Sequence, residues 1–249
     1  MMRTVLVLSL VGLTACSMFK RREEAPATAT AATPATPNDA PVAPPTTWDG
    51  LCLEGKAQSP IDLKYANPKK SKGLKFHFVK TPATVTDNGQ TIVIDFTPGN
   101  KADIRGKLYD LVRAEFHSSS EHTLSGNSLP LELQLYHKND QEQWAVIALF
   151  LITGETNPSI EKIWAQIPAA KNAPSAAIAL NPAALLPTKD TYYNYPGSLT
   201  TPPCTEGVDW NVLNTPVAIS KDQIMAFRHL YSVNNRPVQP LNGRKVVNY

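Results

Sequence analysis

The sequence predicts a mainly β protein, and three observations support this prediction. From Trp48 onward, apolar and polar residues alternate in short runs broken by Gly, Pro and Asn, as expected for half-buried strands and their turns. Helical spacing of apolar residues occurs in only two short stretches, 159–167 and 220–231. A chain of 249 residues is long enough for one sizeable all-β domain preceded by a leader.

Residues 1–15 have the composition of an export signal. A Met-Met-Arg start is followed by an apolar run from Val5 to Leu13, which is too short to span a bilayer. The sequence Leu13-Thr14-Ala15-Cys16 resembles the lipobox of bacterial lipoproteins. That resemblance implies cleavage before Cys16 and acylation of the cysteine, including palmitate. The alternative is an ordinary signal peptide that ends near a cysteine by chance.

Residues 16–47 are expected to anchor and tether the folded domain. More than one acyl chain on Cys16 would make membrane binding stable, and Ser17 in place of Asp indicates sorting to the outer membrane in Gram-negative lipoproteins. The stretch from Glu23 to Thr47 is Ala, Thr and Pro with almost no large apolar residue, a composition typical of a disordered tether. We therefore expect an exported bacterial lipoprotein whose domain, residues 48–249, lies in the periplasm or at the cell surface.

The charge of the chain limits its partners. A formal charge of +3 with 18% charged residues gives no basic cluster of the nucleic-acid-binding type, so no nucleic-acid partner is expected. A pI near 8.7 fits contact with an anionic envelope surface. The membrane, reached through a lipid on Cys16, and an envelope protein or glycan of unknown identity are the expected partners.

The domain's secondary structure can be predicted in order along the chain. The alternating segments predict strands at 74–79, 91–96, 108–117, 130–137 and 144–153. The two stretches with helical spacing, 159–167 and 220–231, predict short helices. Ser220 followed by Gln223 three residues later fits a capping box at the start of the second helix.

The three cysteines have separate expected roles. If Cys16 carries lipid, Cys52 and Cys204 remain as an even pair in an exported chain, where oxidation is expected. A disulfide between them would close a loop of about 150 residues and constrain the unfolded chain. Two buried thiols are the alternative.

Polar residues recur at every second position in two of the predicted strands. Residues two apart in a strand share one face, so Arg113, Glu115 and His117 point the same way on the first strand. Glu132, Gln134 and Tyr136 do so on the second strand. This pattern presents possible metal ligands, but it offers one imidazole where a zinc site would be expected to have three.

Four separated motifs resemble the bacterial α-carbonic anhydrases, and the resemblance covers essentially all of 48–249. They are Gly55-Lys56-Ala57-Gln58-Ser59-Pro60-Ile61-Asp62, Ser120-Glu121-His122-Thr123, Tyr195-Pro196-Gly197-Ser198-Leu199-Thr200-Thr201-Pro202-Pro203-Cys204 and Asn234-Asn235-Arg236-Pro237-Val238-Gln239-Pro240-Leu241. The resemblance implies a large, mostly antiparallel central twisted sheet with short surface helices, and a conical cleft that ends at zinc. It also implies a disulfide between the cysteines at positions 52 and 204.

The resemblance places the three zinc-ligand positions at Glu115, His117 and Gln134, so two of the family's three histidines are replaced. An amide offers zinc only a carbonyl oxygen and is a poor ligand. The family's glutamine beside the first ligand is Arg113, which is expected to form an ion pair with Glu115. His137 matches a family histidine that is not a ligand and should point to the opposite face.

The remaining pocket positions are partly changed and partly kept. The family's usual proton-shuttle histidine is Gln90, and the small valine that lines the CO₂ pocket is Tyr136, whose ring is expected to project into the substrate space. The rest of the pocket wall is retained as Val146, Leu199, Val208 and Trp210. The relay residues Thr200 and Glu121 are also retained, with a structural role expected for them here. His122 is expected to be a satisfied core histidine.

These substitutions predict a non-catalytic carbonic-anhydrase-like domain, a pseudoenzyme, that acts as a binding or envelope-assembly module. The expected zinc positions are then empty, and no cofactor is expected. The alternative is a carbonic anhydrase or an esterase that uses Glu115, His117 and Gln134 around a weakly held zinc ion.

Overall fold

The computed structural model describes residues 48–64 and 73–249, and most of its regular secondary structure is strand. The strands are β1 (Asp62–Leu63), β2 (Leu74–His77), β3 (Thr81–Asp87), β4 (Ile92–Phe96), β5 (Lys101–Ile104), β6 (Lys107–His117), β7 (Thr123–Leu124), β8 (Asn127–Ser128), β9 (Leu131–Lys138), β10 (Trp144–Thr153), β11 (Ile178–Leu180), β12 (Tyr192–Ser198), β13 (Glu206–Leu213), β14 (Val217–Ile219) and β15 (Val247–Asn248). The helices are α1 (Leu51–Glu54), α2 (Pro158–Trp164) and α3 (Lys221–Leu230), with a 3₁₀ turn at Pro182–Leu185.

The predicted signal peptide, the lipidated Cys16 and the tether lie outside the described residues. Within 48–64 and 73–249, no helix is long and apolar enough to cross a membrane. Those three expectations remain predictions.

Twelve of the described strands form one large sheet. Its main order is β11-β3-β4-β6-β9-β10-β13-β12-β15, with β2 and β5 joined at the β6 edge and β14 beside β10. The pairs β10–β13 and β10–β14 are parallel, and the other pairs in this sheet are antiparallel. The predicted fold class, a large and mostly antiparallel central sheet with few short helices, is confirmed.

The central strands follow the predicted segments closely because their apolar residues alternate between two buried faces. On one face, Ala114, Leu133 and Ile147 belong to the larger core. On the other face, Val146 and Phe150 of β10 belong to a smaller core. The strand predicted at 74–79 ends early, at His77, and the amide of Val79 donates instead to the side-chain oxygen of Asn100 at 2.8 Å.

Two helices cover the larger core, close to where the sequence predicts them. Asn157 caps α2, and the Ser220–Gln223 capping box begins α3 as predicted. Trp164 of α2 stacks on Phe227 of α3 with ring centroids 5.6 Å apart. The last three residues of the predicted 159–167 helix lie outside α2, and Pro168 disfavours helical geometry in the residue before it.

The predicted disulfide between Cys52 and Cys204 is present and links positions 152 residues apart, so the alternative of two thiols is wrong. Both half-cystines also accept hydrogen bonds through their carbonyl oxygens. Gln58 donates to Cys204 at 3.1 Å, and the Arg236 guanidinium donates to Cys52 at 2.6 Å. The disulfide therefore lies against the loops that surround the candidate site.

Candidate functional site

The ladder between β6 and β9 brings the predicted polar residues together on one face. Opposite residues pair as Arg113 with Tyr136, Glu115 with Gln134, and His117 with Glu132. The register shifts between Leu111 and Arg113, which lets Leu111 join the larger core while Arg113 faces the other side. The three family ligand positions, Glu115, His117 and Gln134, are therefore neighbours in the structure.

A cavity of about 550 Å³ lies over this ladder. Its deepest lining residues are the buried Glu115, His117, Thr200 and Arg236, whereas Gln90 is exposed at its rim. Thr200 follows β12 and Arg236 follows α3, so loops from distant parts of the chain complete a cavity that begins on the central sheet. The volume falls in the range of about 300–1,000 Å³ that is usual for small-molecule sites.

The predicted ion pair between Arg113 and Glu115 is confirmed, with 2.5 Å between Arg113 Nε and Glu115 Oε1. The guanidinium also lies over the Tyr136 ring at 4.5 Å and near the Trp144 ring at 5.5 Å. Burial lowers the pKa of Arg113, but the charge and hydrogen bond of Glu115, together with the charges of Tyr136 and Asp95, raise it overall. Arg113 is thus a permanent cation directly beside one of the family ligand positions.

Every polar atom of the Gln134 side chain is engaged. Its Nε2 donates to Glu121 Oε2 at 2.7 Å and to Glu132 Oε1 at 3.0 Å, and its Oε1 accepts from the Tyr136 hydroxyl at 2.7 Å. Ionised carboxylates only accept, so they fix the amide with its nitrogen toward both glutamates and its oxygen toward the tyrosine. Oε1, the one atom that could bind a metal, already uses one of its two lone pairs to accept from Tyr136.

Tyr136 fills the apolar wall below the cavity. It is 1% exposed and packs in the smaller core with Val146, Val208 and Trp210, against which Leu199 is partly buried. None of these five residues lines the cavity itself, whereas Arg113 and Gln90 do. Burial raises the pKa of the Tyr136 phenol well above its usual value, so the hydroxyl keeps the proton that it donates to Gln134.

His117 is buried, and its two ring nitrogens differ in their neighbours. Its Nδ1 lies 3.4 Å from the Asn234 carbonyl oxygen and 3.5 Å from Glu121 Oε1. Both neighbours are acceptors, which places the proton on Nδ1. Among the described residues, its Nε2 has no hydrogen-bond partner. Burial lowers the pKa of His117, but the charges of Glu121, Glu115 and Glu132 outweigh it and the pKa is raised.

The family relay residues Thr200 and Glu121 are close to the cavity but are not joined to each other. Glu121 accepts from Gln134 and from the Arg236 backbone amide at 2.9 Å. The Thr200 hydroxyl is buried and makes no close hydrogen bond in the part of the chain that the structure describes, but it lies near enough to the Tyr136 hydroxyl to lower the pKa of that phenol. Glu121 is thus hydrogen-bonded to two other segments of the fold, and the structural role expected for it stays a prediction.

Two further histidines have structural roles. His122 bonds Glu132 through Nδ1 at 2.8 Å and the Tyr195 hydroxyl through Nε2 at 2.6 Å, which confirms the prediction of a satisfied core histidine. Burial raises the pKa of Glu132, yet the charge of His122 and bonds from His122 and Gln134 lower it below its usual value. His137 points to the opposite face, as predicted, and its ring stacks on Phe78.

The chemistry of the three ligand positions does not fit zinc. Catalytic zinc is held by three protein ligands and keeps one open position. Here Gln134 Oε1 accepts from the Tyr136 hydroxyl and Glu115 Oε1 is paired with a guanidinium, which leaves His117 as the one imidazole among the three positions. In residues 48–64 and 73–249, no group of three or more His, Cys, Asp or Glu side chains could hold a metal ion.

The sequence interpretation gave no role to Arg236 or Trp48, which the structure places in the cavity lining. Arg236 is 2% exposed and donates to Gln58 Oε1 and the Ser59 carbonyl oxygen at 2.8 and 2.7 Å. Its guanidinium lies 4.8 Å from the centre of the Trp48 ring. The signal for Arg236 was present, because this cation lies inside the motif of residues 234–241.

Comparisons with known proteins agree with this fold. Residues 43–249 match the family model described as eukaryotic-type carbonic anhydrase. A carbonic anhydrase of Pectobacterium carotovorum is 39% identical over 199 residues, which are 79% of this chain and 82% of that protein. The structure of Thermovibrio ammonificans α-carbonic anhydrase with the inhibitor sulfanilamide is 38% identical, with a TM-score of 0.75 over 79% of this chain and 89% of that one. Dioscorin complexed with ascorbate is 29% identical, with a TM-score of 0.70 over 80% and 88%.

Proposed function

Because the chain belongs to the α-carbonic anhydrase family, we propose that its domain keeps the family scaffold without the zinc chemistry and acts as a binding or envelope-assembly module. The observation that carries the proposal is that both polar atoms of the Gln134 side chain are already hydrogen-bonded within the protein. Its amide links Glu121, Glu132 and Tyr136 where a zinc ligand would be needed.

The energetics of Gln134 support this proposal. Gln134 is fully buried and its Oε1 already accepts from Tyr136, so zinc could use only the remaining lone pair of this oxygen. Turning the amide would remove one donor from each of two buried carboxylates. Each buried group left unsatisfied costs about 1–3 kcal/mol, and more when it is charged. The Arg113 cation beside Glu115 further opposes a divalent ion.

The packing of Tyr136 supports the proposal independently. In the family, the resemblance places the CO₂ pocket at this position, and here a buried phenol fills it against Val146 and Trp210. A substrate would have to displace a ring that is 1% exposed. The same packing leaves the polar cavity above it open, so loss of the reaction need not mean loss of ligand binding.

The second candidate function is enzymatic, and the names of the relatives favour it. The similar bacterial proteins are called carbonic anhydrases at 37–39% identity, which makes CO₂ hydration, or ester hydrolysis, plausible for this chain. His117 Nε2 makes no hydrogen bond to a described residue. The enzymatic candidate would therefore use a weakly held metal between His117 and Glu115.

Metal analysis and a CO₂ hydration assay on the purified full chain separate the two candidates. We expect less than stoichiometric zinc and no rate above background for the unaltered protein. The variant Arg113→Gln/Glu115→His/Gln134→His/Tyr136→Val restores the family residues and is expected to gain both zinc and turnover. Its matched control, Arg113→Gln/Tyr136→Val, lacks the two histidines and should gain neither. Stoichiometric zinc with sulfanilamide-sensitive turnover in the unaltered chain would overturn the proposal.

We further propose that the protein is an outer-membrane lipoprotein anchored through Cys16. Two features of the sequence support this, the lipobox-like residues before Cys16 and the Ser that follows it. Metabolic labelling with a palmitate analogue tests the anchor. The unaltered chain should be labelled and fractionate with the outer membrane, and Cys16→Ser should lose the label; equal labelling of both would contradict the anchor.

A further inference from the structure

The cavity carries more carboxylates than guanidiniums. Its lining contains three carboxylates and two guanidiniums, those of Asp95, Glu115, Glu121, Arg113 and Arg236. Glu121 and Arg236 offset each other, because the Arg236 amide donates to Glu121 and the guanidinium interacts with the charge of that carboxylate. Two carboxylates, Asp95 and Glu115, then share the single guanidinium of Arg113.

Asp95 and Glu115 lie on neighbouring strands with their side chains on the same face. In the β4–β6 ladder, Val93 pairs with Glu115, and Asp95 pairs with Arg113. Asp95 and Glu115 are therefore diagonal neighbours, which lie about 7–8 Å apart in such a ladder. Burial raises the pKa of Asp95, Arg113 lowers it, and Glu115 raises it further, so that it is raised overall. The two carboxylates are thus close enough to repel each other.

The Arg113 guanidinium leans away from Asp95. It pairs with Glu115 through Nε. It also lies 4.5 Å from the centre of the Tyr136 ring of β9 and 5.5 Å from that of the Trp144 ring of β10. In the sheet, β9 and β10 lie on the opposite side of β6 from β4, which carries Asp95. The exposed Asp95 carboxylate makes no ion pair or hydrogen bond with a described residue, so it has no cation in contact.

Glu115 is buried but keeps one oxygen for the cavity. The residue is 6% exposed and its Oε1 is paired with Arg113. Its Oε2 has no hydrogen-bond partner among residues 48–64 and 73–249, yet it is not one of the unpaired side-chain atoms of those residues that are enclosed out of reach of water. Oε2 is therefore an unpaired acceptor that a ligand in the cavity can reach.

An ammonium group suits these two carboxylates better than a metal ion does. It has three N–H donors, for which two carboxylates and a water molecule supply acceptors. Calcium takes about six to eight oxygen ligands, more than two carboxylates provide. The rest of the lining favours an alkyl chain behind the ammonium, because aliphatic stems pack on apolar surface while the charge stays with polar groups. That apolar surface is formed by Trp48, Val93 and Pro202.

We propose that the cavity binds an alkylammonium group, with the ammonium between Asp95 and Glu115 Oε2 and the alkyl chain along Val93 toward Trp48. A free alkylamine and the side chain of a lysine on a partner protein both present this group. The inference rests on the proposed function, because zinc at the family's ligand positions would take Glu115. It adds a ligand class to that function.

Calorimetric titration of the chelator-treated full chain tests the ligand class, at low salt and about pH 8, where an alkylammonium keeps its proton. The probes are n-butylammonium, its neutral counterpart 1-butanol and its anionic counterpart butanoate. We expect n-butylammonium to bind with a Kd of about 1–10 mM, and the other two to bind at least about tenfold more weakly. Failure of n-butylammonium to bind below about 50 mM, or equally tight binding of 1-butanol or butanoate, overturns the inference.

A second pair of probes distinguishes the two sources of the group. Nα-acetyl-lysine methylamide carries the ammonium on a lysine side chain, and its norleucine counterpart has the same backbone without the ammonium. Binding of the lysine compound at least as tight as that of n-butylammonium supports a lysine on a partner protein, and weaker binding supports a free amine. Equal binding of the norleucine and lysine compounds would contradict recognition of the ammonium.

Single substitutions test the location. Asp95→Asn and Glu115→Gln each remove one negative charge with little change in shape, and each is expected to weaken binding of n-butylammonium by about tenfold. Glu155→Gln, a change to an exposed carboxylate outside the cavity lining, should leave the affinity unchanged. Arg113→Gln removes the neighbouring cation and should tighten binding by at least about threefold. Unchanged affinity in Asp95→Asn, whose side chain is exposed, overturns the assignment of the site, and so does weaker binding in Arg113→Gln.

The two proposals fail in different ways. Stoichiometric zinc and CO₂ turnover in the unaltered chain would remove the proposed function, whatever amines bind. A zinc-free, inactive protein that ignores n-butylammonium and the lysine compound would remove only the alkylammonium inference.

Discussion

The two ends of one buried hydrogen-bond network differ in how many of their polar atoms have a hydrogen-bond partner. At one end, Glu132 bonds His122, His122 bonds the Tyr195 hydroxyl, and that hydroxyl bonds Ser59 at 2.9 Å. At the other end, beyond Gln134, lie the unpaired atoms of His117, Thr200 and Arg236. We call these the closed end, formed by Glu132, His122, Tyr195 and Ser59, and the open end, formed by His117, Thr200 and Arg236.

The difference shows which polar groups near the family's ligand positions are hydrogen-bonded within the fold. Polar groups in a buried network stabilise the fold only when they are satisfied, and the closed end satisfies all of its members. The open end lies against the cavity, and its three buried atoms make no close hydrogen bond to a described residue. Gln134 lies between the two ends, because its amide nitrogen donates both to Glu132 of the closed end and to Glu121.

The largest effect is expected from breaking the closed end. Glu132→Ala removes the carboxylate that bonds His122 and Gln134, on side chains that are fully buried. We expect a loss of about 3–5 kcal/mol in the free energy of unfolding, as for other broken buried pairs. Urea unfolding followed by circular dichroism measures it.

Glu115→Ala is the matched control, because it removes a carboxylate from the cavity side of the same ladder. Its partner Arg113 has a side chain that is 26% exposed and can turn to solvent, so a loss of about 1 kcal/mol is expected. Equal losses for the two variants would contradict the division of the network into two ends.

A histidine outside the network gives the next largest effect. Burial lowers the pKa of His137 to about 4 from an ordinary value of 6.5, against a raising influence of the Leu135 carbonyl and Asp110. Between these values the unfolded chain binds the proton and the folded chain does not. Stability is therefore lost as the pH falls from 6.5 to about 4, by up to about 3 kcal/mol.

The pH dependence of unfolding tests this prediction for His137. His137→Leu should flatten the curve between pH 4.5 and 6.5 while leaving its other parts alone. The raised pKa of His117 affects the free energy of unfolding over a different pH range. The stability gained from that histidine is present below pH 6.5 and is lost as the pH rises through its folded pKa. An unchanged slope in His137→Leu would refute the assignment.

The smallest effect is expected at the open end, where two buried threonines form a matched pair. Thr200→Val removes a hydroxyl without a partner among the described residues, so the free energy of unfolding should change by less than about 0.5 kcal/mol or rise. Thr91→Val removes a hydroxyl that donates to the Phe116 carbonyl oxygen and should cost about 1 kcal/mol. A larger cost for Thr200→Val than for Thr91→Val would show that the Thr200 hydroxyl already has a partner.

Much of the fold could be predicted from local sequence pattern. The strands β6, β9 and β10 follow from alternating apolar residues, and the start of α3 follows from its capping box. The register shift beside Leu111 could not be predicted, because a strict period of two places Leu111 and Arg113 on one face. Register depends on which strands pair, and pairing is a property of the whole sheet.

The sequence predicted which residues form the candidate site better than it predicted the hydrogen bonds among them. The shared face of Glu115, His117 and Gln134 follows from their spacing, and so does the Arg113–Glu115 pair. The bond of Gln134 to Glu121 depends on a loop that returns to the sheet, and spacing along the chain carries no information about that contact. The same reason hid Arg236, which reaches the cavity from a segment more than one hundred residues away.

We propose above that the hydrogen bonds of Gln134 keep zinc from binding tightly at the family's ligand positions. Titration of the chelator-treated full chain with zinc, in competition with a chromophoric chelator, tests it most directly. We predict that the unaltered chain binds zinc with a Kd weaker than about 1 μM and that Glu115→His/Gln134→His binds it at least about a hundredfold more tightly. Stoichiometric nanomolar binding by the unaltered chain, lost in His117→Ala, would contradict the claim.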